Sequence, residues 1–378
     1  MADDGLRSYS YVSSRHTYFQ RHLRQSYESR CSPRERTILP HIDTLAGRLL
    51  NMRPIRRILV AIKEPLAKSQ PAVEKAAQLA RATGAQLELF HSISTPLCVD
   101  TLTGSNATLA KIENGWRDQF VKQLDALAAR VGTKGLKIAT HVQWDFPAYE
   151  AILRRAQRTK ADLIVAERHE GKHVAPSLLR LTDWELLRQS PIPVLLVKST
   201  KPYQNPVVLA AIDPMHAFAK PTGLDGEILK AGSLIGSALR GTLHVVHAYV
   251  PMPANIPQSE YFRPDIAKRL DLKAKESVEK SFLSVAIGAG IKPARRHLVG
   301  EHPIDAIPET VRKTQSSIVV MGAISRSGLK RFFIGNTAEQ LLDKLNCDVL
   351  IVKPPRFPTR IQRAARGARL IASPPMPM

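Results

Sequence analysis

Arg57-Ile-Leu-Val-Ala-Ile62, near the start of the chain, recurs as Val207-Val-Leu-Ala-Ala-Ile212 in its middle. The ends of the two units match as well, since Pro193-Val-Leu-Leu-Val-Lys198 closes the first and Asp348-Val-Leu-Ile-Val-Lys353 closes the second. Continuous apolar runs of this length are typical of strands that are buried on both faces of a parallel sheet. The sequence therefore contains one unit twice.

Each unit alternates five strand-like segments with helical ones, which predicts a parallel sheet covered by helices, an α/β fold. The strands predicted in the first unit are 56–62, 86–92, 136–142, 162–166 and 194–197. Those predicted in the second unit are 207–212, 242–249, 294–299, 317–321 and 348–352. Gly84 and Gly241 each precede a second strand, where a left-handed glycine can end the preceding helix.

Four segments are expected along the chain. Residues 54–199 and 206–355 form the two units, which a short proline-containing linker joins. A basic head, residues 1–53, and an Arg/Pro-rich tail, residues 356–378, are polar enough that we expect disorder in both. Met52 stands immediately before the first strand, and a chain that started there would lack the head.

The composition of the 378 residues excludes several classes of protein. The apolar runs are far shorter than the roughly 20 residues of a transmembrane helix, and the head lacks the apolar core of a secretory signal. The three cysteines form no C-x-x-C pair. We therefore expect a cytoplasmic protein. The net charge of +22 attracts polyanions such as nucleic acid or anionic lipid, or else reflects a solvated basic surface.

The tail carries arginines at every third position beside apolar residues spaced by three and four. The arginines are Arg360, Arg363, Arg366 and Arg369. A helix with this pattern would have one cationic and one apolar face, suited to an anionic membrane or to nucleic acid. The alternative is disorder, because Gly367 weakens the helix and short isolated helices are marginal in water.

The segment Ser317 to Asp343, followed by Asn346-Cys-Asp-Val-Leu-Ile-Val-Lys-Pro354, resembles the C-terminal half of a universal stress protein domain. Leu181 to Lys198 resembles the first domain of the tandem, E-type members. The resemblance covers roughly residues 54 to 355. It implies two Rossmann-like domains of the adenine-nucleotide α-hydrolase type, each with five parallel strands in the order 3-2-1-4-5. It also implies a stress-response role and pairing through the last strands, within the chain or with other universal stress proteins.

In a sheet of that order the ligand crevice lies beyond the carboxyl ends of strands 1 and 4, which Asp213 and Gly322 end in the second unit. A phosphate there would meet backbone N–H groups and the positive end of a helix dipole. The family pattern for ATP binding is G-x-x-G, nine residues, then G-[S/T]. Here it reads Gly322, Ser325, Gly335 and Asn336, so two of its four positions depart.

The predicted ligand is ATP or AMP. The residues predicted to bind it are Asp213, Gly322, Ser325, Gly328, Gly335, Asn336 and Thr337. A structural alternative stays open, since Asn336 with Glu339 resembles a capping box that only starts a helix. Asp213 is equally an ordinary turn residue before Pro214. The loop cations Arg326, Lys330 and Arg331 either neutralise phosphate or are solvated.

The first unit departs further from the pattern. Its residues at the matching positions are Lys63, Glu167, Arg180 and Leu181. A carboxylate and a leucine are poor lining for a phosphate, so we expect this unit to have lost the site and to serve as a partner. His244 and His247 point to opposite faces of a strand, which is wrong for sharing a metal.

The sequence supports two hypotheses. In the first, a stress-response protein binds an adenine nucleotide in its second unit and signals through its occupancy. In the second, the protein is a scaffold without a nucleotide, or it binds nucleic acid or anionic lipid through its positive charge. The sequence shows no set of nucleophile, base and orienting group, so we expect no enzymatic activity beyond weak ATP hydrolysis. We also expect the two domains to be related by an approximate twofold axis, with two separate sheets.

Overall fold

A computed structural model describes residues 54–99, 106–132, 135–168, 176–215, 223–251, 264–323, 336–355, 357–358, 361–362, 364–368 and 370–372. The strands are β1 (Arg57–Ile62), β2 (Gln86–Ile93), β3 (Leu97–Val99), β4 (Ile138–Trp144), β5 (Leu163–Glu167), β6 (Val194–Val197), β7 (Val207–Ala211), β8 (Thr242–Ala248), β9 (Arg296–Val299), β10 (Ile318–Gly322), β11 (Asp348–Val352) and β12 (Leu370–Ala372). The helices are α1 (Pro71–Thr83), α2 (Asn106–Val131), α3 (Ala148–Arg158), α4 (Pro176–Gln189), α5 (Leu224–Ala238), α6 (Pro264–Gly288), α7 (Pro303–Thr314) and α8 (Asn336–Lys344).

Ten of the strands form one sheet, in the order β4-β2-β1-β5-β6-β11-β10-β7-β8-β9. Within each unit this is the predicted order 3-2-1-4-5, with all neighbours parallel. All ten predicted strands are present, and the largest displacement of a strand end is two residues, at β4 and at the start of β9. The predicted α/β class and strand order are confirmed.

The two units join edge to edge through β6 and β11, which pair antiparallel. Leu195 lies opposite Leu350, and these two residues occupy matching positions in the duplicated segments. An approximate twofold axis therefore passes between them. The expectation of two separate sheets was wrong, because pairing satisfies the backbone groups that each bare edge would otherwise expose. Within the described residues, neither terminal strand keeps a free edge for another chain.

Helices cover both faces of the sheet, and each face has its own core. Helices α1, α2, α5 and α6 pack on one face, and α3, α4, α7 and α8 on the other. Side chains along β11 alternate between the two, with Leu350 and Val352 in the first core and Val349 and Ile351 in the second. This double coverage explains why the strands are continuous apolar runs.

A buried polar cluster holds the two units together next to the central strands. The Lys75 ammonium of α1 lies 2.5 Å from Asp348 Oδ2, and the Tyr203 hydroxyl of the linker donates to the same oxygen at 2.5 Å. Asp348 Oδ1 accepts hydrogen bonds from the backbone amides of Lys198 and Ser199 at 2.9 and 3.0 Å. Lys75 is 2% exposed and Asp348 is fully buried, so the bonds of Lys75 and Tyr203 to Asp348 Oδ2 are shielded from water.

The two glycines before the second strands differ in role. Gly84 has φ of 71° and ends α1 in the left-handed conformation, as predicted. In the second unit the prediction was wrong, because Arg240 takes the positive φ, 54°. Gly241 is required instead by close approach, since a Cβ there would lie 2.1 Å from the carbonyl oxygen of Pro206.

The tail is neither helical nor detached in its described residues. It runs back from the second unit to the first, where β12 pairs parallel with the short strand β3. Gly367, with φ of 74°, turns the backbone just before β12. The described residues of the tail do not form the amphipathic helix that was one of its two alternatives, and Arg366 instead forms an ion pair with Glu150 of the first unit. In the described part of the chain, no helix is long and apolar enough to cross a bilayer.

Candidate functional site

The candidate crevice lies where the strand order of the second unit reverses, between β7 and β10. These strands pair in parallel, with Leu209 opposite Val319 and Ala210 opposite Val320. Asp213 and Gly322 follow at the carboxyl ends of the two strands, so the structure brings these two predicted residues to one edge of the sheet. Ligands bind at this edge in open α/β sheets.

Asp213 is held by the helix that follows it in the chain. Its backbone amide donates to Asp225 Oδ1 at 3.0 Å, and Asp225 lies in the first turn of α5. Asp213 itself is half-buried. Asp225 and Glu227 place two carboxylates at the positive end of the α5 dipole, so that helix end is already matched by negative charge from the protein.

Gly322 has a packing reason to be glycine that sequence reasoning missed. A Cβ at this position would lie 2.5 Å from Cδ2 and 3.0 Å from Cγ of Leu224. Leu224 is 1% exposed and belongs to the core under α5. The absence of a side chain at Gly322 therefore lets α5 pack closely on the end of β10, whether or not a ligand binds.

The remaining predicted residues belong to the loop after β10 and to helix α8. Ser325, Gly328 and Gly335 lie outside the described residues, and so do Arg326, Lys330 and Arg331. Helix α8 begins at Asn336, in agreement with the predicted helix start. Thr337 is half-buried in its first turn. The start of α8 thus follows the loop that would hold phosphate.

In the first unit a carboxylate of the chain itself lies at the matching crevice. The carboxylate of Glu167, the counterpart of Gly322, accepts a hydrogen bond from the backbone amide of Ala72 in the first turn of α1. Desolvation raises the pKa of Glu167, and Glu64 and Glu74 raise it further, against that hydrogen bond. The protein's own carboxylate thus stands at the helix end that could bind an anion.

The loop that leads into α1 is braced from within. Gln70 is 4% exposed, and its Nε2 donates to the carbonyl oxygens of Glu64 at 2.8 Å and Ala67 at 3.3 Å. Lys63, the counterpart of Asp213, is exposed at the start of this loop. The first crevice therefore has a braced rim and a carboxylate at its strand end.

Lys353 is a buried cation near the candidate site that sequence reasoning missed. Its Nζ donates to the carbonyl oxygen of Ala323 at 2.8 Å, at the first residue after β10. Burial, together with the smaller effect of the Arg188 guanidinium, lowers the pKa of Lys353 to about 7. In both units a lysine follows the last strand. In the sequence this lysine only indicates the duplication and does not reveal a buried amine.

The histidines of the second sheet half take two different roles. His247 Nδ1 lies 3.0 Å from the carbonyl oxygen of Ile212, and His91 makes the matching contact with Ile62 at 2.8 Å. His244 Nδ1 instead lies 3.0 Å from His297 Nε2 on β9. Among the described residues, no three potential metal ligands from histidine, cysteine, aspartate and glutamate come together.

The chain matches the universal stress protein family over residues 54–198 and 229–353, more than two thirds of its length. Universal stress protein E of Escherichia coli strain K12 is 27% identical over 325 residues, which cover 82% of this chain and 98% of that protein.

Two solved structures share the architecture. A putative universal stress protein from Pseudomonas aeruginosa UCBPP-PA14 superposes with a TM-score of 0.60 at 24% identity, covering 79% of this chain and 94% of that one. The functionally unknown protein PA1789 from Pseudomonas aeruginosa PAO1 superposes with a TM-score of 0.58 at 23% identity, covering 82% of this chain and 95% of that one. At this level of identity the likeness establishes a common fold.

Proposed function

This chain belongs to the universal stress protein family, and from that premise we propose that it is a cytoplasmic stress-response protein whose second unit binds an adenine nucleotide. The nucleotide, ATP or AMP, would occupy the crevice between β7 and β10. Its occupancy would be the signal that the protein passes to its partners. The similarity to Universal stress protein E over most of the chain supports the stress-response role.

The observation that carries this proposal is the contrast between two matching positions. In the first unit, the Glu167 carboxylate accepts the amide hydrogen of Ala72 and so takes the place that an anion would take. In the second unit the matching residue is Gly322, which has no side chain to offer. Gly322 therefore offers no carboxylate at the end of β10 where Glu167 offers one at the end of β5, and the proposal places one nucleotide on each chain.

The described groups suggest a division of roles within the second crevice. Asp213 would accept a hydrogen bond from the ribose or the base. The loop from Gly322 to Gly335 and the start of α8 at Asn336 would offer backbone N–H groups to the phosphates. Lys353 would fix the first residue of that loop through the carbonyl of Ala323. Since no nucleophile and base stand together among the described residues of this crevice, we propose binding with at most weak ATP hydrolysis.

Isothermal titration calorimetry of the full chain with ATP and with AMP tests this proposal. We expect at most one strong site per chain. Gly335→Arg, which copies the arginine of the first unit, is expected to abolish binding because a long side chain replaces a glycine of the predicted phosphate-binding pattern. Gly115→Arg is the matched control, since it adds the same charge at a position with open space around it. Undiminished binding by the Gly335→Arg variant would contradict the assignment.

A ligand-free scaffold that binds polyanions is the second candidate function. The net charge of +22 favours it, and so do the departures from the family pattern at Ser325 and Asn336. Its test is binding to duplex DNA and to vesicles of anionic lipid at several salt concentrations. This alternative predicts that the affinity for DNA and anionic vesicles falls steeply as the salt concentration rises. It also predicts that calorimetry detects no nucleotide binding.

A further inference from the structure

The C-terminal segment makes specific contacts on the first unit, far from where it leaves β11. The Arg366 guanidinium lies 2.9 and 3.0 Å from the two carboxylate oxygens of Glu150. The Arg366 backbone amide donates to Asp145 Oδ1 at 2.9 Å. Its guanidinium carbon also lies 5.9 Å from the ring centroid of Phe146, within range of a cation–π contact. One arginine of the segment thus contacts three residues of the first unit.

Charge explains why an arginine is needed at this place. Asp145 is fully buried and the Glu150 side chain is 10% exposed, yet among the described residues of the first unit Arg154 is the one cation that pairs with them. Arg154 bonds Asp145 Oδ2 at 2.6 and 2.9 Å and Glu150 at 3.0 Å. Without Arg366, one negative charge would stay uncompensated in a poorly hydrated place, which is unfavourable.

The backbone of the segment is recognised as well. The carbonyl oxygen of Gln362 accepts a hydrogen bond from Arg154 at 3.3 Å. Four residues beyond Arg366, β12 adds in parallel to the edge of β3, with Leu370 opposite Leu97 and Ala372 opposite Val99. Strand addition to an exposed edge, combined with a pocket for one side chain, is how many proteins recognise extended peptides.

We propose that Asp145, Phe146, Glu150 and the edge of β3 form a peptide-binding groove of the first unit, and that the described residues of the tail, 361–362, 364–368 and 370–372, belong to its resident ligand. The groove selects an extended peptide that presents an arginine four residues before a short apolar strand. Its carboxylates supply the charge selectivity, and the β3 edge supplies binding that depends on the backbone alone. The segment occupies the groove in cis and excludes similar peptides from it.

A competition experiment on the full-length protein tests the groove. A fluorescently labelled synthetic peptide of residues 357–378 is titrated into the wild-type chain and into the Arg366→Glu and Arg366→Ala variants. Both variants are expected to bind the peptide at least about tenfold more tightly than the wild type does. In the wild type, the attached segment competes at an effective concentration in the millimolar range.

Two controls separate this groove from nonspecific attraction. In the Arg366→Ala chain, Glu150→Gln is expected to weaken peptide binding about tenfold, whereas Asp118→Asn removes a carboxylate that is 68% exposed and leaves the affinity unchanged. A peptide that itself carries Arg366→Glu is expected not to bind. Equal binding of both peptides, or equal binding to wild type and variants, overturns the proposal. So does absence of binding to an Arg366→Ala chain that is folded by circular dichroism.

Discussion

Asp348 and Pro193 occupy matching positions in the two units, yet only Asp348 forms a polar contact across the interface between them. On the side of the twofold axis where Asp348 lies, the Lys75 ammonium and the Tyr203 hydroxyl occupy the space beside the central strands. On the other side, Pro193 lines an open cleft of about 490 Å³ together with Lys230 and Phe357. The duplicated interface is therefore closed on one side of the axis and open on the other.

Lys75→Met is expected to lower the free energy of unfolding by about 3 to 5 kcal/mol, because it leaves the Asp348 carboxylate buried without its cation. Urea unfolding followed by circular dichroism measures this loss. Lys68→Met is the control, since Lys68 is exposed on the loop before the same helix and its replacement is expected to change stability by less than about 0.5 kcal/mol. Similar values for the two variants would mean that the buried pair contributes nothing.

Lys353 is expected to make stability depend on alkaline pH. Its pKa is about 7 in the folded chain and has its ordinary value of 10.5 in the unfolded chain, so the unfolded state binds more protons between these values. The free energy of unfolding should therefore rise with pH across this window, by at most about 1.4 kcal/mol per pH unit from this group. Lys353→Met should flatten that part of the curve. An identical pH dependence in both proteins would contradict the shifted pKa.

Gly322→Ala is expected to destabilise the protein by about 1 to 3 kcal/mol, because its new methyl group overlaps the buried Leu224 side chain. Gly226→Ala provides the contrast within helix α5, where a Cβ meets nothing within 4 Å. There alanine is expected to stabilise the helix by up to about 1 kcal/mol. Thermal unfolding of both variants checks the pair, and a stable Gly322→Ala protein would show that the packing argument is wrong.

The two glycines before the second strands should respond differently to alanine. Gly84→Ala is expected to lower stability by about 1 to 2 kcal/mol, because alanine is strained at positive φ although the space around it is open. Gly241→Ala is expected to lower stability by at least about 2 kcal/mol, since its methyl group overlaps the backbone carbonyl of Pro206. Denaturant midpoints rank the two variants, and the reverse order would refute this assignment of roles.

The sheet could be predicted from sequence because the information lies in local repeats. The paired hexapeptides that begin at Arg57 and Val207 fix the unit boundaries, and their apolar runs fix the strands. The joining of the two sheets depends on an edge pairing between residues far apart in the chain, which periodicity does not encode. The Lys75–Asp348 contact, which spans 273 positions, is of the same kind.

The candidate site could be predicted only in part. The sequence placed Asp213 and Gly322 at the carboxyl ends of neighbouring strands, and the structure has them there. The packing of Leu224 against Gly322, the buried amine of Lys353 and the docking of Arg366 all depend on three-dimensional contacts. No residue pattern distinguishes Arg366 from the other arginines of the tail, because its partners Asp145 and Glu150 belong to the opposite end of the fold.

Because β6 and β11 belong to one chain, their pairing does not depend on protein concentration. Two separate chains that met through the same strand pairing would dissociate on dilution, because their association depends on protein concentration. Here residues 199–206 tether the partners, and a short tether gives an effective concentration in the millimolar range. The pairing therefore persists however scarce the protein is. At low abundance, the number of paired units grows in proportion to the number of chains rather than to its square.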